Sequence, residues 1–194
     1  MGLAIMILGL AVFIGTHAFT TQRKARADLI AKIGENAYKG IYSVLSLVGL
    51  ALIVYGFALY RATGWIDIWT PPNWTRHAAS LLVLLAAISL VAAYSQGHIK
   101  RVLKHPMLVG VKLWAFAHLL ANGDLGSIVL FGSFLGWAVF DRITLKRRSD
   151  AGGPAIAPGG WPRDAVAVAG GLALYLVLGL WFHPVILGVP AFGR

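Results

Sequence analysis

The chain has 194 residues, 58% of them apolar and 12% charged, against roughly 45–50% and 25% in an ordinary soluble domain, which excludes a free-standing soluble enzyme. At ~20 residues per membrane span, six helices would use about 120 positions and leave no room for a sizeable extramembrane domain, so the lipid bilayer is the first expected partner. The formal charge of +10 is read as basic loops beside a membrane rather than as a nucleic-acid surface.

In chain order, long uncharged runs predict spans at about 2 to 20, 41 to 60, 77 to 96, 106 to 121, 125 to 141 and 165 to 187. The first is followed, not preceded, by Arg23, Lys24 and Arg26, so it reads as a retained anchor rather than a cleaved signal. Trp65, Trp69 and Trp74, with Pro71 and Pro72, form an aromatic belt between the second and third spans. Asn73-Trp74-Thr75 matches a glycosylation acceptor only formally. The short fourth span carries Lys112, whose stem can carry its ammonium toward headgroups. Asp124 is placed to cap the fifth span. Gly132 and Gly136, four apart on that span, predict close approach of another backbone. The stretch from Arg147 to Arg163 holds Gly152-Gly153-Pro154 and Pro158-Gly159-Gly160 and reads as a loop.

The basic residues test these spans independently. Arg23, Lys24, Arg26, Lys32 and Lys39 precede the second span, Lys100, Arg101, Lys104 and Lys112 attend the fourth, and Arg142, Lys146, Arg147, Arg148 and Arg163 precede the sixth. Alternate sides thus hold fourteen and three of the Lys and Arg residues. The expected fold is all-α: one polytopic domain, residues 1–194, of about six transmembrane helices with both termini on the outer side.

Cysteine is absent, which removes disulfides, thiolate metal sites and thiol nucleophiles. The chemistry is left to histidine. His77, His98 and His183 fall at predicted span ends, where a ring can pack and still wet a nitrogen. His17 and His118 have long uncharged sequence before them, so each needs an acceptor, a water-lined cavity or a metal. Two neutral imidazoles without cysteine or clustered carboxylates suit a haem iron better than structural zinc, which takes four protein ligands. Histidines simply satisfied in the helix core are the other reading.

Lys104-His105-Pro106-Met107-Leu108-Val109-Gly110 and Ala117-His118-Leu119-Leu120-Ala121-Asn122-Gly123-Asp124 bracket Trp114 on the fourth span. Together with Thr16-His17-Ala18, Gly34-Glu35-Asn36-Ala37-Tyr38-Lys39-Gly40, Trp69-Thr70-Pro71-Pro72, Asp141-Arg142 and His183-Pro184, they resemble the NnrU family nearly end to end. These are integral membrane proteins linked to denitrification, with 15-cis-zeta-carotene isomerase a more distant relative. The resemblance implies haem b, with His17 and His118 as metal ligands and His105, Trp114 and Asn122 beside the cofactor. It also implies a bacterial inner-membrane location, and nitrite and nitric oxide reduction machinery as partners of a redox, sensing or maturation component. The isomerase carries a cysteine three residues before its second ligand; Ala115 stands here, so a thiolate ligand exchange has no place in this chain.

The predicted topology sets His17 about 22 Å below the outer end of its span and His118 about 18 Å above the inner end of its own, a height difference of about 10 Å across ~30 Å of hydrocarbon. His17 with His105, or His118 with His77 or His183, are the pairings that topology otherwise leaves open. The His105-Pro106 segment also resembles membrane methyltransferases of the isoprenylcysteine carboxyl type, which bind S-adenosylmethionine. Their paired glutamates are missing, Glu35 being the sole glutamate. No nucleotide loop, nucleophile elbow or zinc-protease motif occurs.

Overall fold

The computed structural model describes residues 1–147 and 160–192; of the stretch from Arg147 to Arg163 predicted as a loop, residues 148–159 lie outside the described residues, while Trp161 to Arg163 instead open a helix, with Pro162 at its start. Among the described residues eight α-helices follow one another: α1 (Gly2–Phe19), α2 (Arg23–Ile33), α3 (Glu35–Thr63), α4 (Asn73–Ala92), α5 (His98–Leu103), α6 (Pro106–Ala121), α7 (Leu125–Lys146) and α8 (Trp161–Val177), the last continued by a widened π-type helix over Leu178–Ile186. Five are long and apolar enough to cross a membrane: α1, α3, α4, α7 and the continuous Trp161–Ile186 helix. The predicted fourth span coincides with α6, but its 16 residues rise only about 24 Å, short of ~30 Å of hydrocarbon. On the apolar helices large side chains face outward; Leu47, Val54 and Leu180 are each at least 60% exposed, as suits a surface solvated by acyl chains.

The helices sort into two compact units, the first holding α1, α2, α3 and α7, the second α4, α5, α6 and α8.

In the first unit α1 lies against α3 with main chain touching main chain. A Cβ on Gly2 would stand 2.3 Å from the Tyr60 nitrogen, one on Gly9 2.6 Å from the Ile53 nitrogen, and one on Gly56 2.3 Å from the Met6 nitrogen. Gly2 and Gly9 on α1, and Gly49 and Gly56 on α3, each repeat after seven residues, two helical turns, and so stay on one face. Met6, Leu10 and Ile53 fill the seam and are at most 5% exposed. The predicted close approach at Gly132 and Gly136 does not occur: a Cβ at either position meets nothing within 4 Å. Two glycines four apart permit close packing, but a neighbour must also lie on that face, and this pattern says nothing of the neighbour.

The connection after α3 is stitched to the start of α7. Ile68 and Trp69 donate to the Gly123 carbonyl at 2.9 and 3.1 Å, and Leu125 donates to the Ile66 carbonyl at 2.9 Å. Tyr60, 1% exposed, accepts from the Ile66 N–H at 3.1 Å and packs its ring where a Cβ on Gly126 would come within 2.2 Å. Asp124 caps α7 as expected, accepting from the Ser127 N–H at 2.9 Å.

In the second unit α4 packs on α6 and α8. Gly110 meets the Leu90 side chain and Gly171 meets Ile88 at distances that admit no Cβ. The Ser80 and Tyr175 hydroxyls bond to each other across α4 and α8, and Phe192 returns to set its ring at a tilt against Tyr175, ring centres 5.0 Å apart.

The seam predicts its own sensitivity. Gly56→Leu is expected to lower the thermal unfolding midpoint of the detergent-solubilised chain, since overpacking at a closed site costs about 1–3 kcal/mol. Gly132→Ala is expected to leave the midpoint unchanged or to raise stability by up to about 1 kcal/mol through helix propensity.

Candidate functional site

The histidines divide between the two units. In the first, His17 sits on the last turn of α1 among aromatic rings: Phe13 stacked on it at 4.2 Å between ring centres, Tyr42 at 5.3 Å and Trp137 edge-on at 5.7 Å. Its Nδ1 lies 2.8 Å from the Phe13 carbonyl oxygen. A carbonyl can only accept, so Nδ1 carries the proton and Nε2 the lone pair. The indole N–H of Trp137 is buried and has no hydrogen-bond partner.

In the second unit His118 repeats the arrangement on α6, with Nδ1 donating to the Trp114 carbonyl at 2.8 Å. Trp114 therefore acts through its main chain as well as its ring, which lies 5.3 Å from the imidazole. His183 does the same on the widened helix, donating from Nδ1 to the Leu178 carbonyl at 2.8 Å, five residues back. The cause of the widening is Pro184: it has no N–H, and its ring clashes with the carbonyl four residues back, so the backbone opens into a wider turn. His118 and His183 come together, ring centres 6.3 Å apart and planes 27° from parallel.

That separation bears on what the pair can hold. With a metal–nitrogen distance of about 2.0–2.1 Å and about 1.1 Å from nitrogen to ring centre, two imidazoles opposite each other on one ion have centres about 6.3 Å apart, and tetrahedral neighbours about 5 Å. The His118 and His183 centres fall at the upper end of that range, with the ring planes near-parallel. Among the described residues no three His, Asp or Glu side chains gather as a metal cage. A porphyrin supplies four nitrogens of its own, so two imidazoles are all that it asks of the protein. The donor set also fits in its chemistry, since a ligating histidine usually donates its other ring N–H to a carbonyl or carboxylate.

The remaining expected residues are more scattered. His77 is exposed on the first turn of α4. His105 stands between α5 and α6, where its N–H bonds to the Leu103 carbonyl at 2.6 Å around Lys104, the one described residue other than glycine with positive φ, +62°. That is the rarer, strained form of γ-turn. Asn122 follows α6 directly and belongs with the first unit.

One pairing was not anticipated. His98, expected as a wetted span end, bonds through Nδ1 to Asp164 Oδ2 at 2.7 Å, and Asp164 Oδ1 accepts from the Ile99 N–H at 3.0 Å. The carboxylate, on the first turn of α8, thereby caps α5 from outside. Gly97 is required here, because a Cβ would fall 2.1 Å from Asp164 Oδ1. The Gly97-His98 dipeptide at a break in hydropathy was the available signal; its partner, 66 residues away, was not.

An all-helical chain with five membrane-length apolar helices among its described residues, bearing imidazoles oriented by their own helices, defines a multi-pass helical membrane protein. The comparison with family sequence models is specific: the model of the NnrU protein matches residues 5–191. The chain belongs to the NnrU family. No curated protein and no solved structure matches it.

Asp164→Ala is expected to leave α5 without its cap, a loss of about 1 kcal/mol. Amide hydrogen exchange at Ile99 and its neighbours should then quicken about fivefold, while exchange along α4 stays unchanged.

Proposed function

We propose that this NnrU-family chain is a haem b protein of the bacterial inner membrane. It serves nitrite and nitric oxide metabolism as a redox, sensing or maturation component. In this reading α6 completes six spans, both termini lie outside, and the basic loops face the cytoplasm. The observation that carries it is the approach of His118 and His183 at 6.3 Å, each with Nδ1 engaged by its own helix.

The protein's own contribution is orientation and exclusion of water. The Trp114 and Leu178 carbonyls hold the imidazoles in the tautomer that directs a lone pair from Nε2, and they raise its basicity as a ligand. Trp114 and Phe182 place rings beside the pair, at 5.3 and 6.2 Å, and give it an apolar surround. When bound, haem would supply one-electron chemistry, and would take up nitric oxide only in exchange for one of the two imidazoles. His17, the ligand that the resemblance pairs with His118, has the same Nδ1-to-carbonyl arrangement. It differs in having the Phe13 ring stacked on one face.

The test is an absorption spectrum of the purified chain, oxidised and reduced, after expression with haem precursor supplied. A Soret band and sharpened reduced bands are expected. His118→Ala and His183→Ala should each lower haem occupancy at least about tenfold, with His17→Ala close to the parent. Loss in His17→Ala with retention in His183→Ala would return the assignment to His17 and His118. Absence of haem with binding of S-adenosylmethionine would replace the reading with the methyltransferase one.

A further inference from the structure

A second site lies in the first unit, where the end of α1, helix α2 and the first turns of α3 meet. Thr20, Arg26, Tyr38, Lys39, Tyr42 and Ser43 line a recess of about 260 Å³. Ligand pockets for drug-sized molecules run from about 300 to 1,000 Å³, so this one suits a small group. Its surroundings are basic: Arg23, Lys24, Arg26, Lys32 and Lys39 stand against Asp28 and Glu35 in this stretch.

Basic residues at a membrane edge are ordinary, and charge alone would mark only a headgroup-facing surface. The distinguishing feature is Tyr38. It is 7% exposed, and its hydroxyl is buried without a hydrogen-bond partner. An unmade bond of this kind costs about 1–3 kcal/mol unless a ligand or water completes it. The Arg26 guanidinium lies over the Tyr38 ring, 5.5 Å from its centre, so a cation and this tyrosine line the recess together. Tyr42 lies alongside, ring centres 6.4 Å apart.

The donors decide the class of ligand. Thr20 has already given its proton to the His17 carbonyl at 2.6 Å, and Lys39 is shared with Glu35 at 2.8 Å. The Tyr42 hydroxyl is turned to Ser46, which leaves the Arg26 fork, the Tyr38 and Ser43 hydroxyls, and part of the Lys39 charge. A guanidinium fork and a shared ammonium beside two hydroxyls suit an anion with oxygens on several sides. We propose that this recess binds a phosphate group, either inorganic phosphate or the headgroup of an anionic phospholipid. The inference is independent of haem binding, since none of these residues belongs to the His118 and His183 pair.

The test uses the full-length chain in nanodiscs. In one arm, discs of phosphatidylcholine are titrated with inorganic phosphate in a calorimeter. In the other, discs containing phosphatidylglycerol are examined by native mass spectrometry for lipid retained on the protein. Saturable binding in the first arm identifies a free-phosphate site, and selective retention in the second a headgroup site. Arg26→Gln is expected to weaken the interaction about tenfold or more, Tyr38→Phe about three- to tenfold, and Lys24→Gln, an equal charge change outside the recess, not at all. Tyr38→Phe removes only an unpartnered oxygen, so it keeps the test valid should Arg26→Gln fail to fold. Binding in neither arm, an unaffected Tyr38→Phe, or equal weakening by Lys24→Gln and Arg26→Gln would overturn the proposal.

Discussion

An imidazole on an apolar helix has two nitrogens to satisfy where no bulk water is at hand, and its own helix offers a carbonyl within reach one turn back. His17, His118 and His183 all take that route through Nδ1. The bond fixes the tautomer and aims the second nitrogen away from its own backbone. A histidine so held is oriented before anything binds, and the entropy of ordering it is already spent. The helix thus satisfies one nitrogen of a side chain that would otherwise be a liability at membrane depth.

The same pressure shapes the packing. Lipid tails compete for every apolar side chain, so burying leucine against leucine gains little, and helices associate where backbones can come close. The α1 and α3 seam works this way, through glycines seven apart rather than through bulk. It holds the first unit's His17 beside Phe13, whose main chain is in turn the contact for Gly49. Seating the imidazole and seating the helix are therefore one event in that unit.

How much of this was legible in the sequence follows the range of each interaction. Apolar runs marked the five long helices, because length and composition are local. The same runs stopped short at Glu35 to Gly40 and at Arg142 to Lys146, where charged residues continue α3 and α7 beyond the hydrocarbon-like stretch. Helices α2 and α5 escaped because eleven and six residues carry too little periodicity beside a hydropathy signal. Asp124 could be assigned as a cap because its target is three residues away. The clasp of Asp164 on His98 and the approach of His183 to His118 could not be assigned, although the latter stood among the open pairings. Each joins residues at least 65 positions apart, and no local pattern encodes which distant face will be met.

Pro184 shows how a local signal can still serve a distant contact. A proline late in an apolar helix is ordinarily a break, yet here the chain widens and continues to Ile186. The wider turn moves the acceptor for His183 from four residues back to five, whereas His17 and His118 keep theirs at four. A regular α-helix would keep the donor four residues from its acceptor. The proline is therefore what sets His183 apart from a plain end-of-span histidine, and the dipeptide His183-Pro184 carries chemical meaning that neither residue has alone.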